Sequence, residues 1–101
     1  MLNSKDKEAL KKELVRNLAG DSEVQRIVIF GSFNHSDSPA DMDVAVFQDS
    51  NEPYLSLALK YRRQSRSVAR RIPLDIVPLR AGVQNDPFLS EIEQGETVYE
   101  R

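Results

Sequence analysis

The chain has no cysteine, no tryptophan and a single histidine, His35. Without cysteine there is no disulfide, no thiolate metal site and no cysteine nucleophile, in keeping with an expected cytoplasmic setting. One histidine leaves imidazole-rich metal centres and Ser-His-Asp chemistry poorly supplied. Any metal ligation must come from carboxylates, which selects hard ions such as Mg²⁺ or Mn²⁺. No apolar run approaches the length of a membrane span, so no membrane association is expected. The opening Met-Leu-Asn-Ser-Lys-Asp-Lys-Glu is polar and helix-like, unlike a signal peptide. At 101 residues the sequence predicts one domain, residues 1–101, with a single core and no room for a separate substrate-binding lobe.

Charge is nearly balanced, with 14 basic and 16 acidic residues, so general nucleic-acid binding is not expected. The balance hides an asymmetry. All charged residues between Pro53 and Leu74 are basic: Lys60, Arg62, Arg63, Arg66, Arg70 and Arg71. Arg62, Arg66 and Arg70 recur at i+4 and would form one helical stripe, either a solvated face or a partner-binding surface.

Periodicity predicts a helix over residues 4–19, with Leu10, Leu14 and Leu18 recurring at i+4, Asn3 or Ser4 as cap and Gly20 as terminator. Strands are expected at 25–30, 41–47 and 74–79. A long helix from Pro53 to about Arg70 offers Leu55, Ala58, Leu59, Val68 and Ala69 for packing. Asp86-Pro87 signals a short helix carrying Phe88, Leu89 and Ile92 and ending at Gly95, with a short edge strand at Thr97–Tyr99. No repeat, linker or low-complexity tract is visible. The order predicts an α/β (α+β) fold, a small mixed β-sheet flanked by helices.

Three aspartates stand where aspartate is costly. Asp41 and Asp43 open the apolar run Val44-Ala45-Val46-Phe47, and Asp75 lies within Ile72-Pro73-Leu74-Asp75-Ile76-Val77. Unpaired carboxylates in buried strands persist where a cation or hydrogen-bond donors compensate them. Strand alternation puts Asp41 and Asp43 on one side, about 6–7 Å apart along the chain, within reach of two ions about 3.5–4 Å apart. Asp75 joins them if its strand is the neighbour. An alternative for Asp75 is an ion pair with Arg71 or Arg80. Gly31-Ser32 closes a third apolar run, Ile27 to Phe30. Glycine allows close backbone approach, and the serine hydroxyl and turn amides suit phosphate oxygens. His35 reads as a solvated loop residue.

Ile29-Phe30-Gly31-Ser32, then eight residues, then Asp41-Met42-Asp43-Val-Ala-Val, with a third acid in Pro-Leu-Asp75-Ile-Val, resembles the signature of the DNA polymerase beta-like nucleotidyltransferase superfamily. The compact length and the ending Ile92-Glu-Gln-Gly95-Glu-Thr-Val-Tyr99 are similar to its minimal members, often antitoxin partners of HEPN-domain ribonuclease toxins. The sequence differs from the common pattern in carrying Asn34-His35-Ser36 in the loop after Gly-Ser, and Ala40 before the first aspartate.

The resemblance implies that Asp41 and Asp43 bind both metals, that Asp75 completes the second site and assists deprotonation of the acceptor, and that Gly31 and Ser32 hold the triphosphate of ATP. It implies transfer of AMP from ATP to a hydroxyl, such as a tyrosine, of a HEPN-like toxin (AMPylation within a toxin–antitoxin pair). A macromolecular acceptor also follows from size, because a domain this small leaves the acceptor to be brought by a partner. Two other outcomes stand beside this one. One is a non-catalytic nucleotide-binding antitoxin that acts sterically. The other is a homodimeric transferase for small molecules.

Overall fold

The computed structural model describes residues 2–101; Met1 of the polar N-terminus lies outside them. Helix α1 (Ser4–Leu18) opens with a reciprocal cap. Asn3 Oδ1 accepts from the Asp6 N–H at 2.8 Å, and Asp6 Oδ2 accepts from the Asn3 N–H at 3.3 Å. At its other end Ala19 is the cap, and Gly20, not in the left-handed region, is no Schellman-type terminator. The helix buries Leu10, Leu14 and Leu18 completely, each such side chain contributing about 1.5–3 kcal/mol.

Strands β1 (Val24–Phe30), β2 (Met42–Gln48), β3 (Leu74–Arg80) and β4 (Glu96–Glu100) form one sheet in the order β3-β2-β1-β4. β1 is antiparallel to both β2 and β4, while β2 and β3 are parallel. The parallel pair needs a crossover, which α2 (Tyr54–Gln64) and α3 (Arg66–Ala69) provide. A single turn of 3₁₀ helix, Gly31–Asn34, follows β1, and α4 (Leu89–Glu93) precedes β4. The mixed sheet agrees with the expected α+β architecture.

Alternation divides the sheet into two unlike faces. Ile27, Ile29, Met42, Val44, Val46 and Ile76 pack with Leu10, Leu14, Leu18, Leu57, Tyr61 and Val68 beneath α1, α2 and α3. On the other face Val28, Phe30, Ala45, Phe47 and Leu79 are covered by Ile92 and Leu89 of α4. A five-residue helix cannot roof four strands, so part of this face stays open. The odd-numbered β2 residues point to it, Asp43 among them.

The single long helix expected from Pro53 to Arg70 is broken. Ser65 leaves the helical region (φ −102°, ψ 20°) and separates α2 from α3. Inward residues also differ from expectation. Ala58 and Val68 are buried as expected and Leu57 and Tyr61 join them, whereas Leu55, Leu59 and Ala69 are exposed. The pattern reflects Tyr61, whose ring fills the core while its hydroxyl donates to Glu23 at 3.0 Å. Lys60 donates to the same Glu23 oxygen at 2.5 Å and to Glu52 at 3.2 Å. This pins α2 to the start of β1 and selects the inward face. Asp86 Oδ1 accepts from the Phe88 N–H at 2.8 Å, but α4 begins only at Leu89, with Phe88 as its cap. Among the described residues no helix is long and apolar enough to cross a membrane.

Candidate active site

The acidic site is built by strand register. In the antiparallel pair Phe30 stands opposite Asp43, and in the parallel pair Asp43 stands opposite Asp75. Asp43 is therefore flanked on one side by the turn leaving β1 and on the other by Asp75. Asp41, one residue before β2, reaches the same group. A carboxylate oxygen from each of Asp41, Asp43 and Asp75 lies within 4.8 Å of the others. Asp41 and Asp43 are half-buried. Asp75 is exposed, so it is not the buried strand acid that its apolar neighbours suggested. Nor is it an ion-pair partner of Arg71 or Arg80. Arg71 faces Glu13 at 3.7 Å, and among the described residues Asp75 makes no salt bridge.

Partial burial pushes the Asp43 carboxyl up to about 6, with the negative charges of Asp41, Asp75 and Glu91 adding to the effect. Three acids and no base at one point form an unfavourable arrangement without a cation. An all-oxygen donor set of this kind fits a hard divalent ion, which would hold all three ionised.

The Gly-Ser turn completes the site. Gly31 has φ +77°. A Cβ there would lie 2.6 Å from Asp43 Oδ2, so a side chain would displace the Asp43 carboxylate as well as strain the left-handed backbone. Ser32 is exposed, and its carbonyl accepts from the His35 and Ser36 N–H groups at 3.0 and 2.8 Å. Gly31, Ser32, His35, Glu91 and Gln94 line a cavity of about 410 Å³ beside the acids. His35 is exposed, as expected of a loop residue, yet borders this cavity. Asn34 turns away and donates to the Ile29 carbonyl at 2.8 Å.

Glu91 and Gln94 were not singled out from the sequence. Nothing local marks them; only the packing of α4 on β1 brings them over the site. A second cavity, about 390 Å³, lies at the far end of the face against Arg26 and Phe47 and shares no residue with the acids. Arg62, Arg66 and Arg70 lie outside both cavities. All three are exposed, and the break at Ser65 divides their stripe between α2 and the segment after it.

This arrangement, a turn at the end of one strand set against acids on the next two, defines a nucleotidyltransferase-type domain. The chain belongs to the polymerase beta nucleotidyltransferase family, whose model matches residues 12–101. Two solved structures share its fold. One is a chain of the tri-AMPylated Shewanella oneidensis HEPN toxin in complex with MNT antitoxin, at TM-score 0.65 and 18% identity, covering 94% of this chain and 73% of that one. The other is a Sulfolobus solfataricus protein provisionally assigned as a nucleotidyltransferase, at TM-score 0.58 and 14% identity, covering 94% of this chain and 80% of that one. No curated protein matches in sequence.

Proposed function

We propose that the protein transfers AMP from ATP to a hydroxyl, most simply a tyrosine, of a HEPN-like partner, as the antitoxin of a toxin–antitoxin pair. The observation that carries this reading is the convergence of Asp41, Asp43 and Asp75 within 4.8 Å, set against a left-handed Gly31 turn that approaches Asp43 closely, in a chain of the nucleotidyltransferase family. The fold similarity to an MNT antitoxin found with a HEPN toxin supports the choice of partner.

In this reading Asp41, Asp43 and Asp75 would hold Mg²⁺ or Mn²⁺. Bound ions of this type neutralise phosphate charge and favour in-line displacement. Gly31 and the Ser32 hydroxyl receive the triphosphate in the adjoining cavity. Asp75, exposed on the outer strand, faces the incoming hydroxyl and takes its proton. The hydroxyl oxygen bonds to the α-phosphorus, the bond from that phosphorus to the bridging oxygen breaks, and pyrophosphate leaves. The small cavity accommodates the triphosphate but not a protein acceptor, so the acceptor side chain enters from the open β3 edge.

The test is co-expression with a HEPN-domain protein of the same genome, followed by intact-mass analysis. The expected result is an AMP adduct that disappears with Asp43→Asn. A partner that is inhibited yet unmodified would replace catalysis with steric neutralisation.

A further inference from the structure

Helix α2 presents two faces, and only the inner one has an explanation in the fold. Leu57, Ala58 and Tyr61 close the core. On the outside, Tyr54 is 58% exposed, Leu55 67% and Leu59 51%, three of the four exposed large apolar side chains among the described residues. Apolar groups clustered on one element mark a contact surface more often than isolated ones do. Leu55, Leu59 and Arg62 follow at i, i+4 and i+7, so the apolar row runs directly into the arginines.

The charges on this segment are also unspent. Lys60 is engaged by Glu23 and Glu52, and Arg71 by Glu13. Arg62, Arg63, Arg66 and Arg70 form no salt bridge among the described residues and are exposed. The cationic end of the row is also the end nearest the acids. Arg70 precedes Asp75 by five residues, so their Cα atoms are at most roughly 18 Å apart.

We propose that the outward face of α2 and α3 docks an acidic protein surface with apolar anchors, carried by the same partner that brings the hydroxyl to Asp75. The proposal rests on the transfer reading above. The exposed leucines and tyrosine favour a protein over a nucleic acid, whose phosphates would need only the arginines. A symmetric contact between two copies would gather eight unpaired arginines into one interface. Neither copy has an acid between Pro53 and Leu74 to meet them, and such like-charge juxtaposition is strongly unfavourable. An acidic partner meets both features at once; because Asp75 points to the sheet face opposite α2 and α3, that partner must reach round the outer β3 edge to bring its hydroxyl there.

The experiment uses the full chain and a purified HEPN-domain protein of the same genome, with binding followed by titration calorimetry. The variants are Leu55→Asp with Leu59→Asp, and Arg62→Glu with Arg66→Glu. Each pair is expected to weaken binding by roughly tenfold or more. The wild-type affinity should fall as salt rises through the screening range. Thermal midpoint and Mn²⁺ affinity should stay at the wild-type values. Wild-type binding by both variants, with the AMP adduct intact, overturns the docking surface and leaves the transfer reading standing. Weakened binding by both variants, with no adduct on the partner under any condition, supports the surface and removes the transfer reading. Loss with the arginine pair alone, together with tight binding of a single-stranded RNA, reassigns the face to nucleic acid. A wild-type dimer that the leucine pair dissociates makes it a self-interface. Either of these last two outcomes overturns the proposal.

Discussion

Gly31 and Asp43 stand so close that a Cβ on the glycine would sit 2.6 Å from the aspartate's Oδ2. The backbone at Gly31 is also left-handed, at φ +77°, which costs other residues about 1–2 kcal/mol. Two independent constraints therefore select glycine where the turn meets the acid.

Gly31→Ala should act on the site more than on the fold. Relief of the clash moves either the turn or the Asp43 carboxylate. A misplacement near 1 Å in such a site costs about 10²-fold in rate. Transfer should fall by that order, while the midpoint of thermal unfolding drops by several degrees, as expected from ~1–2 kcal/mol in a domain of this size. Unchanged transfer by the alanine variant would separate the turn from catalysis.

The raised Asp43 carboxyl links metal binding and stability to pH. Its folded value of about 6 lies above the ordinary 3.8. In metal-free protein the folded state therefore holds a proton that the unfolded state has released between these values. Its stabilising contribution is full below about pH 4 and is lost as pH rises through about 6. A shift of this size corresponds to at most about 3 kcal/mol, and solvent screening at a half-open site reduces it to roughly 1–2 kcal/mol. Asp43→Asn should remove this pH dependence and stabilise the metal-free protein at pH 7. In the wild type Mn²⁺ must displace the proton, so its affinity should rise with pH up to about 6 and level off above. Calorimetric titrations at pH 5, 6 and 7 in buffers of different ionisation enthalpy would read the proton release directly.

ATP should bind only together with Mg²⁺ or Mn²⁺. Asp41, Asp43 and Asp75, with Glu91 adding its charge at Asp43, repel a triphosphate in the adjoining cavity, and His35 is the only basic side chain lining that cavity. Nucleotide titration with EDTA present should show no binding, and added metal should restore it. Equal affinity in both conditions would mean that the nucleotide sits elsewhere, with the Arg26 cavity the first place to look.

Much of this site was legible in the sequence because strand geometry is local and periodic. Alternation put Asp41 and Asp43 on one side, and the parallel neighbour supplied Asp75 opposite Asp43. What was not legible depended on packing between distant segments. The pairing of Tyr61 and Lys60 with Glu23 lies 38 and 37 residues apart in sequence, and it turns Leu57 inward in place of Leu55 and Leu59. Ser65 breaks the helix although no glycine or proline marks the position; its hydroxyl is buried without a hydrogen-bond partner, and nothing in the structure explains why serine stands there. Glu91 acts on Asp43 because α4 packs against β1.

That approach of α4 depends on Gly95. A Cβ at this position would come within 2.6 Å of the Ile29 carbonyl oxygen, 2.9 Å of Phe30 Cβ and 3.0 Å of Val28 Cγ1. The obstacles are backbone and the stiff parts of β1, which cannot rotate away. The Gly95 N–H also donates to the Ile92 carbonyl at 2.9 Å and closes the helix end. Gly95→Ala should therefore lift α4 from the sheet, at the ~1–3 kcal/mol typical of overpacking. It should carry Glu91 and Gln94 away from Ser32 and His35, widening the cavity they share. Because Glu91 contributes to the raised Asp43 carboxyl, the Asp43 titration should move down toward the ordinary aspartate range. Glu91→Gln should shift the titration in the same direction with little loss of stability, which separates the charge from the packing. Side-chain carboxyl chemical shifts followed against pH in both variants would test this. A wild-type Asp43 titration in Gly95→Ala would show that α4 does not set the electrostatics of the site.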